Sequence, residues 1–225
     1  MQATQQTQKV RMIMTKKHDI RIDRTLLHPW LDYKLTKLLA ACEKKGIYLI
    51  ITEGFRTKAY QDELYAKGRT KPGNIVTNAK GSTYSSQHMW GIAFDIAIND
   101  KQLVYDSATI KKVADIAKSS SIGLGWGGDW KSFQDTPHFY LKKWGSTTST
   151  LKQQYGTPDN FKKTWKKIVN IKKGLVIWKH KTKLGGNYKR VAYGKKVKVM
   201  FTKGWYCKVL LANGRVGYMN KKYLK

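Results

Sequence analysis

Leu31, Leu35, Leu38, Leu39 and Cys42 fall at i, i+4, i+7, i+8 and i+11. That spacing draws one apolar stripe along a helix over residues 30–45, and Gly46 stands where such a helix stops. Residues 47–52 form a short apolar run of the kind a buried strand carries. Thr57 can cap a second helix reaching Lys67, with Gly68 behind it. Residues 91–98 alternate large apolar side chains (Ile92, Phe94, Ile96, Ile98) with small or acidic ones (Ala93, Asp95, Ala97), the period of a strand. Ser107 can cap a third helix ending near Ser119. The Gly- and Trp-rich stretch 123–130 reads as a loop, and residues 138–141 as a short strand after Pro137. The order of these elements predicts an α+β unit with a small sheet. Past residue 172 the texture changes to short runs such as Lys195-Lys196-Val197-Lys198-Val199-Met200, separated by Gly194, Gly204 and Asn213-Gly214. Asn-Gly between alternating runs signals a hairpin, and about five such strands in some fifty residues suggest a small all-β barrel.

Composition and charge sharpen this division. The chain has 225 residues, 41% of them hydrophobic, with 8 Trp and 13 Tyr, enough to bury a core. No run approaches the ~18 apolar residues of a membrane-spanning helix. Residues 1–8 are polar apart from Met1 and Ala3, and Met12-Ile13-Met14 is too short for the apolar region of a signal peptide. The expectation is a protein made in a cytoplasm without a secretion signal. Cys42 and Cys207 form no metal-binding or disulfide pattern and read as free, reduced and buried. The formal net charge is +30, and it is uneven. Residues 1–160 hold 24 basic and 14 acidic side chains, whereas residues 161–225 hold 20 basic and none acidic. The turn-rich Gly156-Thr157-Pro158-Asp159-Asn160 marks the change. This gives a unit at 1–156, a basic linker at 157–171 and a second unit at 172–225. A tail so basic seeks an anionic polymer, and nucleic acid, wall polymers and membrane surfaces all qualify.

Two of the five histidines have unusual neighbours. His88 precedes the strand that holds Asp95. With Ile92, Phe94 and Ile96 packed inward, Asp95 faces the other way between two alanines, in cleared space. A lone carboxylate in an apolar strand costs several kcal/mol unless paired or metal-bound. An extended chain would hold His88 and Asp95 roughly 23 Å apart at ~3.3 Å per residue, so shared metal binding demands a bend, which Gly91 permits. His138 follows Asp135-Thr136-Pro137 at the start of another strand. Two His and one carboxylate make a three-ligand zinc set whose fourth position stays open for water, the pattern of catalytic zinc, with Asp135 as the base. Plainer readings stand beside these: a hydrogen-bonded His–Asp pair, a turn role for Asp135, a surface role for the Gly-Trp loop.

Taken together, Ser86-x-His88-x-x-Gly91-x-Ala93-x-Asp95 and Asp135-x-x-His138 resemble the zinc peptidases of the D-alanyl-D-alanine carboxypeptidase and L-alanyl-D-glutamate peptidase family, bacteriophage endolysins in particular. Gly54-Phe55-Arg56-Thr57, Gln61, Leu64-Tyr65 and Gly68-Arg69 add to the resemblance, which covers residues 26–142. It implies a Hedgehog/DD-peptidase-like α+β fold with a small antiparallel sheet, one zinc per chain on His88, Asp95 and His138, and Asp135 as general base where many relatives carry Glu. It also implies Arg56 as the group holding substrate and stabilising charge on the scissile carbonyl, with Gln61 and Ser86 near the substrate. Trp126 and Trp130 either wall the cleft beside the substrate or pack in the core. A surface ion pair with Glu53 or Asp62 is the plainer role for Arg56. Residues 172–225 resemble a bacterial SH3-like wall-binding domain, whose aromatics are core or ligand surface: Trp205 reads first as core and Tyr188 and Tyr193 as ligand surface, a division the sequence leaves open.

The resemblance thus implies a monomeric endolysin that cuts the L-alanyl-D-glutamate bond of peptidoglycan and acts at the wall after release from the host cytoplasm. Its basic tail would be held by wall polymers, without a specific nucleic-acid partner or membrane span. A D-alanyl-D-alanine carboxypeptidase and a catalytically silent wall-binding protein are the alternatives. A nucleic-acid binder follows from charge alone, and no nucleic-acid motif supports it.

Overall fold

Two β-sheets organise the chain in a computed structural model that describes residues 17–225. The segment read for a signal peptide, residues 1–14, lies outside the described residues. The first sheet contains β1 (Asp19–Ile20), β2 (Leu49–Glu53), β3 (Ala93–Ile98), β4 (Leu124–Trp126) and β5 (His138–Leu141), in the order β1-β2-β3-β5-β4. Helices α1 (Pro29–Glu43), α2 (Lys58–Ala66) and α3 (Ser107–Lys118) accompany it, followed by α4 (Ser149–Tyr155) and α5 (Pro158–Trp165). The expected stripe on α1 is buried: Leu31, Leu35, Leu38 and Cys42 are fully enclosed. Thr57 caps α2 by accepting from the Tyr60 amide.

Several expectations are corrected. The sheet is mixed rather than antiparallel, because β1 pairs parallel with β2. Asp106, not Ser107, caps α3 through the Thr109 amide at 2.7 Å. The Gly-Trp stretch contributes β4, an edge strand paired antiparallel with β5. Its glycines allow the fold: a Cβ on Gly125 would collide with the Tyr140 ring, and one on Gly127 with the Asp135 carbonyl.

The segment 157–171, expected as a linker, is built of α5 and β6 (Lys166–Ile168). Phe161 and Trp165 bury their rings, and Phe161 packs on Trp90 and Trp144. Their partner is His28, whose ring lies 5.5 Å from each of Trp144, Phe161 and Trp165. His28 also caps α1 through Nδ1, which accepts from the Trp30 amide, while its own amide donates to Gly91 at 2.8 Å.

The second sheet adds β7 (Leu175–Trp178), β8 (Asn187–Val191), β9 (Lys196–Lys203), β10 (Tyr206–Leu210) and β11 (Val216–Asn220), in the order β6-β9-β10-β11-β7-β8. The Asn213-Gly214 hairpin joins β10 to β11 as its sequence predicts. The sheet ends at β6 and β8 and does not close into the expected barrel. Trp205, expected in the core, is 43% exposed. Cys42 and Cys207 are buried free thiols. Burial pushes the Cys42 thiol up to about 12.

Candidate active site

Glu53, Asp95 and His138 lie side by side across β2, β3 and β5, because the strand register pairs Glu53 with Asp95 and Asp95 with His138. Cross-strand neighbours project to one face, so His138 and Asp95 meet by the geometry of the sheet alone. His88 arrives from outside it. It sits on a 3-10 turn, Gln87–Trp90, that ends at Gly91 in the left-handed region at φ 66°. A Cβ on Gly91 would stand 2.8 Å from the Leu26 carbonyl, so the turn is closed by a residue that must be small. The fold-back the spacing demanded is therefore present.

Three atoms converge. His88 Nε2 lies 3.2 Å from Asp95 Oδ1 and 3.2 Å from His138 Nδ1, and His138 Nδ1 lies 2.9 Å from Asp95 Oδ1. The protonation of both rings follows from what holds their far sides. His88 Nδ1 is 2.7 Å from the Gly54 carbonyl, which only accepts, so Nδ1 carries the proton. Gln87 donates its amide N–H to the Gly145 carbonyl at 3.3 Å, which turns its Oε1 towards His138 Nε2 at 2.8 Å. His138 Nε2 is then the protonated nitrogen. Two imidazole lone pairs and a carboxylate oxygen are left facing one point with no hydrogen between them, an arrangement that repels unless a cation sits there. With zinc bonds of about 2.0–2.1 Å, a tetrahedral ion has ligand–ligand edges of about 3.3 Å. The three separations fit that edge, and each histidine has the outer acceptor that metal-bound imidazoles use. Among the described residues this is the group of His, Cys, Asp and Glu whose atoms gather tightly enough to hold an ion.

Burial opposes ionisation of Asp95, yet its neighbours His88 and His138 outweigh it and hold its carboxyl well below the usual range. Arg56 Nη2 approaches Asp95 Oδ2 at 3.4 Å, and its Nε lies 3.3 Å from Glu53 Oε2. Arg56 is thus a largely buried bridge rather than a surface ion pair. Asp135 stands at the turn before β5, where its amide donates to Gly127 and its carbonyl accepts from His138. Burial raises its carboxyl above the ordinary range, the charge of Asp95 raises it further, and His138, His88 and Arg56 only partly offset this.

These groups open into a cleft of about 870 Å³ lined by Arg56, Ser86, His88, Asp95, Asp135 and His138, with Trp130 on its wall. The Trp130 ring lies 5.2 Å from that of His138. Two residues expected near the substrate are placed elsewhere. Gln61 is fully buried and its amide donates to Thr77 and Ala79, bracing the loop that forms one wall. Trp126 is buried and donates to the Thr136 carbonyl at 2.7 Å, which fixes the turn carrying Asp135. Reasoning on the sequence missed Gln87, although it neighbours His88, because only the folded turn brings it against His138.

A family model described as D-alanyl-D-alanine carboxypeptidase matches residues 79–141. The chain is 46% identical over 126 residues to the peptidoglycan L-alanyl-D-glutamate endopeptidase CwlK of Bacillus subtilis (strain 168), covering 51% of this chain and 73% of that protein. It is 31% identical over 156 residues to the L-alanyl-D-glutamate peptidase of Listeria phage A118, covering 68% of this chain and half of the phage protein. The crystal structure of the Serratia marcescens L-Ala D-Glu endopeptidase ChiX shares 23% identity and a TM-score of 0.40, over 52% of this chain and 82% of that one.

Proposed function

The chain belongs to the peptidase family of the D-alanyl-D-alanine carboxypeptidases and L-alanyl-D-glutamate endopeptidases, and on that premise we propose that it hydrolyses the stem peptide of peptidoglycan between L-alanine and D-glutamate. The observation that supports this most is the convergence of His88 Nε2, Asp95 Oδ1 and His138 Nδ1 at one corner of an open cleft. We assign one zinc ion to that corner. Zinc bound there supplies a Lewis acid that polarises a carbonyl and lowers the pKa of water to about 7.

The chain's own residues do the rest. Gly54 and Gln87 hold the two rings so that their unprotonated nitrogens face the ion. Asp135, as its carboxylate, takes the proton from the attacking water and returns it to the leaving amine. Arg56 pairs with the outer oxygen of Asp95 and so turns the inner one towards the ion. From the same cleft its guanidinium faces the negative charge that develops on the scissile carbonyl oxygen. Ser86 and Trp130 flank the peptide.

In this reading residues 1–156 form the catalytic part, with the fold of that peptidase family. Residues 172–225 form an SH3-like part that holds the enzyme on the wall and raises its local concentration there. The protein then works as a monomeric lysin of the phage type. The test is a digest of purified peptidoglycan with chelator, and again after zinc is restored, with the freed termini identified by mass spectrometry. The expected result is new C-terminal L-alanine and N-terminal D-glutamate, lost on chelation and regained with zinc. Free D-alanine as the sole product would assign the carboxypeptidase reaction instead. Wall binding with no new termini would leave a silent binding protein.

A further inference from the structure

A second cleft of about 870 Å³ lies away from the active site, where α1 faces the second sheet. Its apolar lining is mostly aliphatic, with Ile177, Val191, Val197, Val209 and Leu210 from the second sheet, and includes one ring, Tyr33 of α1. Its walls are cationic. Lys189, Arg190, Lys195, Lys196 and Lys198 come from the second sheet, and Arg24 from the first part of the chain. The acid in its lining, Asp32, is paired with Arg24 at 2.6 Å. The charge facing the cleft is therefore strongly positive. A smaller pocket of about 320 Å³ shares Lys189, Leu211 and Asn213 with it and adds Tyr188 and Arg215, so the basic surface runs on as a groove.

We propose that this groove binds a linear phosphodiester polymer of the cell wall, one with a polyol backbone. Charge complementarity requires an anion, and the run of cations over two adjoining pockets suits a chain rather than a compact ion. The two aromatic rings in its lining, Tyr33 and Tyr188, carry lysine ammoniums over their faces, Lys37 at 5.6 Å and Lys179 at 6.0 Å, whereas single-stranded nucleic-acid sites offer open aromatic platforms for bases. Aliphatic side chains suit the carbon backbone of a polyol phosphate. The groove is walled by α1 as well as by the second sheet, so the bound polymer spans both parts of the chain and brings the peptidase to the wall. The proposal rests on the peptidase reading only for where the polymer is met.

The test compares two triple variants of equal net charge. One, Lys189→Gln with Lys195→Gln and Lys196→Gln, empties the groove wall. The other, Lys181→Gln with Lys203→Gln and Lys222→Gln, removes three exposed lysines outside it. Binding of poly(glycerol phosphate) is measured by calorimetry across salt concentrations, with cleavage of a short soluble stem peptide recorded separately. The groove triple should lose at least tenfold in affinity, and its salt slope should fall by about one for each lysine removed. The control triple should bind nearly as the unmodified protein does. Soluble-peptide cleavage should be unchanged in both, so a failed peptidase reading would show as absent cleavage whatever the binding. Equal losses in the two triples would reduce the effect to net charge and overturn the proposal, as would no loss in either. Single-stranded DNA of equal phosphate number that bound more tightly and depended on the same three lysines would replace the wall polymer with nucleic acid.

Discussion

Gln87 decides which nitrogen His138 presents, and that makes it as consequential as the ligands it stands behind. Gln87→Leu keeps the volume and removes the acceptor for His138 Nε2–H. Zinc affinity, measured by competition with a chromogenic chelator, should fall 10- to 100-fold. Asp135→Asn removes the base without touching the three ligand atoms. Its kcat should drop by about 10²–10⁴ while zinc binding stays at one per chain, and an unchanged rate would remove Asp135 from the mechanism. Because burial and Asp95 raise the Asp135 carboxyl, the acid limb of kcat/KM should lie above the ordinary aspartate range. Activity is then lost as pH falls through that raised value. The convergence of His88, Asp95 and His138 was legible in the sequence, since Asp95 between two alanines and His138 behind a proline are unusual placements. The outer acceptors were not, because Gly54 contributes a backbone carbonyl and Gln87 an ordinary amide, and neither carries a pattern.

The turn ending at Gly91 joins the metal corner to the core beneath it. Gly91→Ala meets both the left-handed backbone and the Leu26 carbonyl. It should cost about 1–3 kcal/mol in urea unfolding and weaken zinc binding together with stability. His28, under that turn, is enclosed by three aromatic rings, and burial with the nearby charge of Lys143 pushes its pKa down to about 3. Its unfolded value is the ordinary 6.5, so between these limits the unfolded chain binds the extra proton. Stability is then fully present above pH 6.5 and declines as pH falls towards 3, by on the order of a few kcal/mol. His28→Asn keeps a capping side chain and should flatten this part of the urea-midpoint profile. The α1 stripe, β2, β3 and β5 were readable because their apolar periods are plain. α5 was not, because four lysines in six residues, Lys162, Lys163, Lys166 and Lys167 around Trp165, gave it the look of a solvated linker. Its two buried rings, Phe161 and Trp165, find their partners only in tertiary structure.

That misreading changes where the molecule can be cut. The charge boundary near residue 156 is real in composition, yet α5 packs on the first part while β6 pairs with β9 of the second. A fragment ending at residue 156 strips Phe161 and Trp165 from His28. It should melt well below one ending at residue 165, as followed by circular dichroism, since each lost ring is worth about 3–5 kcal/mol. Trp30 of α1 also meets Phe201 of β9, the rings tilted at 54° with centroids 5.7 Å apart, so the two parts share contacts as well as chain. No helix among the described residues is long and apolar enough to cross a membrane, and the residues after 160 carry 20 basic side chains and no acidic one. X-ray absorption of the zinc-loaded protein tests the metal corner most directly. One zinc per chain should show two imidazole rings and two oxygens at about 2.0–2.2 Å, one oxygen exchanging with solvent. A fourth protein donor on the ion, or a spectrum unchanged in His138→Ala, would contradict the account.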